Sequence, residues 1–471
     1  MDKEKLIKFI EEQFTNDALP ILMEYIKIHN LTPSVDPEWN TNNYQMDAAK
    51  LLSNWVQNQN IKGLNLTLIK DSDKTPVIYI EIPAFNSASK ETFLLYGHFD
   101  KQPPYEGWKE GTGPFIPILD KVNNRLYGRG CADDGFAIFA SILCIKGIQN
   151  QNLSHPRIVV IIEADEESGS VDLTYYLTTL STKIGNPSLI ICKDSVAADY
   201  DRLWVSTSLR GIISFFLTVK CLTMGIHSGV FGGTVPDSFM VMRNLISRVE
   251  DYKTGRIPDL EVEIPKEVIE STKKTAEILK DGLFARIPKT EGLKPLNKDN
   301  VELLLNNAWR PSFAVTGSTG IPDLQNAGNV LRPNTKFKFS FRIPPKLDPA
   351  KGFEVIQNKL TTNVPFNSTV VLENTPFVEG WVSPFTQDSL LKLFSLVSQT
   401  YYGNDYCDIG FGGSIPVMNV LLKLYPKAQF LITGVCNIDS YAHGPNENLD
   451  LTSTKKFICC MAHLISEHAK I

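Results

Sequence analysis

Three short runs of consecutive apolar residues stand out along the first half of the chain: 92–99 (TFLLYGHF), 157–164 (RIVVIIEA) and 188–192 (SLIIC). Runs of this length without alternation suit strands buried on both faces of a sheet. Between the first two, residues 135–147 (GFAIFASILCIKG) are apolar on a helical period and close on a glycine, which predicts a helix ending there. Strands alternating with helices predict an α/β unit around a largely parallel sheet. Near Arg210-Gly211 the pattern changes to strict alternation. In residues 336–342, Phe337, Phe339 and Phe341 share one face while Lys336, Lys338 and Arg342 take the other. Residues 212–221 alternate similarly, and helices are expected near 237–249 and 351–361. This middle stretch reads as an α+β unit with antiparallel strands and one wet face. After Trp381 the α/β character returns, with helices over 387–401 and 452–469 and a strand over 429–433. The expected organisation is a catalytic domain in two pieces, 1–210 and 382–471, with a second domain inserted at 211–381.

The total of 471 residues exceeds the usual size of one hydrophobic core, in keeping with two domains. With 47 basic and 52 acidic residues the formal charge is -5, and no basic stripe recommends nucleic acid or an anionic membrane as a partner. No run approaches the roughly 18 apolar residues of a membrane span. The amphipathic start lacks the basic, apolar and small-residue sections of a signal peptide. The eight scattered cysteines contain no Cys-x-x-Cys pair, so reduced thiols and a cytoplasmic location are expected.

The candidate chemistry lies where the apolar runs end. The end of the first carries His98 and Asp100, the end of the second Glu163 to Glu167 and the end of the third Asp194. Sites in α/β sheets form beyond the carboxyl ends of strands, so these segments can meet in one crevice. Asp133-Asp134, before the intervening helix, would open onto the same edge, and His443 would arrive on a loop. Each has a plainer use: His98 as a core histidine, Asp133 and Asp134 as helix-capping acids, Glu163 to Glu167 as a solvated turn, Asp194 as a turn former, His443 as a surface residue. Together, however, they would crowd acids at one edge without a counter-charge, which repulsion disfavours. A cation resolves the conflict. Imidazole and carboxylate without thiolate suit zinc, manganese or cobalt. Two such ions about 3.5–4 Å apart require one bridging carboxylate.

The same residues fall in motifs that resemble the carnosinase-like, or cytosolic non-specific, dipeptidases, a group related to acetylornithine deacetylase, succinyl-diaminopimelate desuccinylase and the glutamate carboxypeptidases. The motifs are Tyr-Gly-His-Phe-Asp at 96–100, Tyr-Gly-Arg-Gly-Cys-Ala-Asp-Asp-Gly at 127–135, Glu-Glu-Ser-Gly-Ser at 166–170, Arg-Gly at 210–211, His-Ser-Gly-Val-Phe-Gly-Gly at 227–233 and Gly-Gly-Ser-Ile-Pro at 412–416. The resemblance implies a dinuclear-metal exopeptidase fold with an inserted lid and dimerisation domain, two divalent ions per subunit (zinc first, manganese as the alternative) and a small peptide substrate. It implies His98 and Asp194 on different metals, Asp133 bridging, Glu167 completing one shell and His443 the other. Glu166 would be the general base, and Asp100 would hold the His98 imidazole. In the insertion, His227 would reach the substrate, often across a homodimer, and could stabilise an oxyanion. Arg342 would receive the peptide carboxylate, with Asn329 and Ser414 as further substrate contacts. Gly135-Phe136 stands where the family usually has Lys-Gly, Arg332 where proline is common and Asn329 where the closest dipeptidases have threonine; these departures bear on substrate identity. Asp rather than Glu at 194 resembles the dipeptidase members and favours dipeptide hydrolysis over N-acyl amino acid hydrolysis. A non-catalytic binding protein on the same fold would lack a ligand or Glu166, and none is missing.

Overall fold

The computed structural model describes residues 1–470. Its central sheet has six strands in the order Asn65–Ile69, Val77–Ile82, Arg157–Glu163, Thr92–His98, Leu189–Cys192 and Gln429–Ile432. The last four run parallel to one another, and Val77–Ile82 lies antiparallel to both its neighbours. All seven residues of Thr92–His98 are buried, as expected of a strand covered on both faces. One face packs on the helices Lys3–Gln13, Phe136–Asn150 and Leu451–His468, and the other on Val171–Thr179 and Val417–Leu424.

The helix after Asp133-Asp134 runs over Phe136–Asn150 rather than stopping at Gly147. A Cβ built on Gly147 would lie 2.8 Å from Leu6 Cδ1. This glycine therefore permits a close crossing with the N-terminal helix and does not end its own.

A second, four-stranded antiparallel sheet orders Ser312–Thr319, Asn334–Ile343, Gly211–Lys220 and Thr369–Asn374. Phe337, Phe339 and Phe341 are buried together with Phe215 under the helices Ser238–Val249 and Pro349–Thr361, giving this sheet its own hydrophobic cluster. Asp237 and Asp348 cap those helices by accepting from backbone N–H groups of the first turn. The helices Lys266–Leu279 and Asn300–Ala308 pack elsewhere, against the strand Cys407–Phe411. Thr275 Oγ1 donates to the Asp408 carbonyl at 2.8 Å, and Gly410 lies against Ala308. Cys407–Phe411 belongs to a small sheet with Trp204–Leu209 and Trp381–Val382, the strands that flank the 211–381 segment.

A further small sheet, Ile118–Asp120, Arg125–Tyr127 and Asn448–Asp450, joins the segment before Asp133 to the one after His443. All eight cysteines are free. No helix among the described residues is long and apolar enough to cross a membrane.

Candidate metal centre

The carboxyl ends of the central strands deliver the acids and imidazoles to one place. His98 is paired in register with Glu163, so the chain beyond Glu163 rises beside the chain beyond His98. Leu189–Cys192 lies on the other flank of the same strand and carries Asp194 up with it. Asp133 arrives at the start of the helix Phe136–Asn150, which can approach because residue 97 is glycine. A Cβ there would lie 2.6 Å from Ala137 Cβ and 2.7 Å from Asp134 Oδ2.

Asp133 occupies the middle. Its Oδ1 is 3.3 Å from His98 Nε2, and its Oδ2 is 2.9 Å from His443 Nε2. Asp194 Oδ1 lies 3.8 Å from His98 Nε2, and Glu167 Oε2 lies 3.5 Å from His443 Nε2. The geometry therefore groups His98 with Asp194 on one side of Asp133, and His443 with Glu167 on the other. This grouping differs from the expected placement of His98 and Asp194 on different metals: His98 ends one strand, and Asp194 follows the parallel strand beside it.

Asp100 leaves the His98 strand on the same side as the imidazole. Its Oδ1 is 3.3 Å from His98 Nδ1, and its two oxygens accept the backbone N–H groups of Glu166 and Glu167, each at 3.1 Å. One carboxylate thus orients a ring and the turn that bears two glutamates. Gln102 Nε2 donates to Glu167 Oε2, while Glu167 Oε1 is buried without a partner.

Positive charge is in demand here. Burial, then repulsion from Asp194, pushes the Glu166 carboxyl well above its usual range. Burial and Asp133 push Glu167 up to about 7. Burial alone would depress both imidazoles, but Asp100 and Asp133 hold the His98 proton on, and Glu167 and Asp133 raise His443 to about 10. Burial likewise opposes ionisation of Asp133, yet His443 and His98 outweigh it and hold that carboxyl well below the usual range. Protons on the imidazoles and glutamates are standing in for cations. Two overlapping sets, His98 with Asp133 and Glu167, and His98 with Glu166 and Asp194, place their ligating atoms within 4.8 Å of one another. The donors, oxygen and imidazole without sulfur, fit divalent ions of the zinc and manganese kind.

The substrate-contact candidates fall into two groups. Arg342 Nη1 donates to Ser414 Oγ at 3.0 Å, and Ser414 in turn donates to the Arg210 carbonyl. Burial lowers the Arg342 guanidinium, and the charge of Glu166 acts against that, so this pair faces the acidic cluster. His227 and Asn329 sit together elsewhere, on the short ribbon formed by Ile226–His227 and Val330–Leu331. His227 Nδ1 accepts the Gly229 N–H at 3.0 Å, and the Ser228 N–H donates to the Asn329 carbonyl at 3.0 Å. Both are exposed, and neither is among the residues gathered around Asp133.

Two further buried acids support this centre: Asp134, which the sequence already placed at this edge, and Glu447, which sequence reasoning missed. Asp134 Oδ2 accepts the His98 N–H at 3.3 Å. Glu447 accepts the Asp133 N–H at 3.2 Å. A lone acid in a loop carries no periodic signal; for Glu447 the only available hint was its nearness in sequence to His443.

The model of Peptidase family M20/M25/M40 matches residues 94–467. A cysteinylglycine-S-conjugate dipeptidase of Corynebacterium striatum is 25% identical over 436 residues, covering 90% of each chain. The Cys-Gly metallodipeptidase DUG1 of Saccharomyces cerevisiae is 26% identical over 445 residues, covering 89% of this chain and 90% of that protein. Among solved structures, the dipeptidase Dug1p from Saccharomyces cerevisiae superposes with a TM-score of 0.81 at 21% identity, covering 100% of this chain and 99% of the other, a likeness of fold.

Proposed function

The chain belongs to peptidase family M20/M25/M40, and from that premise we propose that it is a dinuclear metallopeptidase that hydrolyses the amide bond of unblocked dipeptides. The observation that carries this reading is the position of Asp133, whose two carboxylate oxygens face two different imidazoles at 3.3 and 2.9 Å. That is the placement required of a bridging ligand. His98 and Asp194 would hold one ion, Glu167 and His443 the other, with zinc as the proposed metal and manganese as the alternative. When bound, the pair of ions would polarise the scissile carbonyl and make a water nucleophilic near neutral pH.

The remaining roles belong to the chain itself. Glu166 takes the proton of the attacking water and returns it to the departing amine nitrogen, a use favoured by a carboxyl already pushed up by burial. Asp100 keeps the His98 ring in place and aims the Glu166-Glu167 turn through its backbone N–H groups. Arg342, braced by Ser414, receives the terminal carboxylate of the dipeptide. His227 and Asn329 complete the substrate pocket from the 211–381 domain, with His227 crossing into the active site of a partner subunit in a homodimer. Their exposed place on the short ribbon of Ile226–His227 and Val330–Leu331 supports that division of labour. The reading includes cytoplasmic residence, supported by the eight unpaired thiols.

The test is a panel of free dipeptides beside their N-acetylated counterparts, with manganese- or zinc-loaded protein and a chelated control. Metal-dependent cleavage of the free dipeptides alone is expected. Cleavage of the acetylated compounds alone would move the function to N-acyl amino acid hydrolysis while leaving the metal centre intact.

A further inference from the structure

Glu447 follows His443 by four residues and immediately precedes the strand Asn448–Asp450. Its carboxylate is fully buried, as is the Arg129 guanidinium beside it. Glu447 Oε2 accepts from Arg129 Nη1 at 2.8 Å and from the Gly130 N–H at 2.9 Å. Its Oε1 accepts the N–H groups of Ala132 at 3.0 Å and Asp133 at 3.2 Å. The Glu447 carbonyl accepts the Gly128 N–H at 3.0 Å. Arg129 closes the loop by donating from Nη2 to the Gly444 carbonyl at 2.8 Å.

A carboxylate taken out of water this completely is costly unless it is paired and its lone pairs are filled. Here both conditions are met, and every partner lies on one of two segments. One is 128–133, which carries Asp133; the other is 443–447, which carries His443. The central sheet, which places His98, Glu166, Glu167 and Asp194, takes no part in these bonds. The 2.9 Å approach of His443 to Asp133 is therefore braced by a local clasp between these two segments, in addition to the His98 N–H bond to Asp134 that ties the first of them to the central sheet.

We propose that Glu447 is a positioning residue which, with Arg129, fixes the separation of Asp133 and His443 and so governs how tightly a cation is held on the His443 side of the centre. The proposal rests on the reading of Asp133 and His443 as metal ligands. The substitution Glu447→Gln keeps shape and volume but turns an amide donor toward the Arg129 and Gly130 donors.

Two measurements on the full chain separate the possibilities. In chelator-treated protein, amide hydrogen exchange in Glu447→Gln should quicken at least about tenfold within 128–133 and 441–448 while 92–98 and 189–192 keep wild-type rates. In a cobalt titration followed by visible absorption, wild type should take up two equivalents, and the variant should bind one of them about 10–100-fold more weakly with the other unchanged. Arg129→Lys, which keeps a cation beside Glu447 but cannot also reach Gly444, should loosen chiefly 441–448, and it carries the test if Glu447→Gln does not fold. Exchange that rises equally throughout the chain, or two equivalents bound with wild-type affinity, would overturn the proposal. Wild-type protein that binds no cobalt would instead overturn the metal reading of the site, and with it the metal half of this proposal; the exchange pattern would still decide the clasp.

Discussion

His98 and Glu163 are register partners at the ends of two adjacent parallel strands. Because parallel strands end on the same side of a sheet, the residues that follow them share one edge. On it the Phe99 N–H donates to the Glu163 carbonyl at 2.8 Å. Asp100 then accepts from the backbone of Glu166 and Glu167. The register of a single strand pair thus brings an imidazole, its orienting carboxylate and two glutamates together.

Glu166 is the member of this group assigned to proton transfer. Glu166→Ala should retain two metal equivalents and lose turnover by roughly 10²–10⁴-fold, the usual worth of a positioned acid-base group. Metal analysis and kcat on a free dipeptide check this together. A variant with near wild-type kcat would end the assignment of the base.

His227 is exposed and belongs to neither candidate ligand set, so its removal should leave metal content untouched. His227→Ala is expected to depress kcat by about 10²–10³-fold if it steadies developing negative charge. Mixing it with Glu166→Ala subunits should restore part of the activity, because a hybrid dimer pairs one intact His227 with one intact Glu166. Kinetics unchanged from wild type would remove His227 from the pocket.

Gly97 permits the close approach of Asp134 and Ala137 to the His98 strand. Gly97→Ala must shift either the strand or the helix start, at a cost of about 1–3 kcal/mol. A lowered Tm with weakened metal uptake is expected. An unchanged Tm would show that the contact yields more easily than its distances suggest.

Chelated protein should become less stable as pH rises. Glu167, raised to about 7 from 4.5, keeps its proton in the folded chain after the unfolded chain has released it, so stability falls across that window. His443, raised to about 10 from 6.5, contributes stability that is complete below 6.5 and lost as pH climbs through 10. The two effects have the same sign. Thermal melts from pH 5 to 9 should show Tm falling for the chelated form and a much flatter profile once zinc or manganese is added. A chelated Tm that rose with pH would contradict both shifts.

Much of the centre was readable because its residues end apolar runs. His98 ends a buried strand and Glu166, Glu167 and Asp194 follow others, and strand ends are where an open sheet leaves room for ligands. The three phenylalanines at 337, 339 and 341 announced the second sheet through simple alternation. Less was visible wherever contacts join segments remote in sequence. Gly147 has the form of a helix stop, and only the presence of Leu6 above it shows otherwise. The grouping of His98 with Asp194 depends on strand order, which no local pattern encodes. The docking of Lys266–Leu279 and Asn300–Ala308 onto Cys407–Phe411 is likewise a matter of tertiary packing.

The order in which these segments occur has a bearing on how the enzyme comes into being. The strand Leu189–Cys192 receives its outer neighbour, Gln429–Ile432, only from the far end of the sequence, and His443 comes later still. A chain emerging from the ribosome N-terminus first thus carries His98, Asp133, Glu166, Glu167 and Asp194 before the strand and imidazole that would finish the centre have been made. On the proposed ligand assignment, the order of segments along the chain withholds peptidase activity from the nascent polypeptide until the segment bearing His443 has been made.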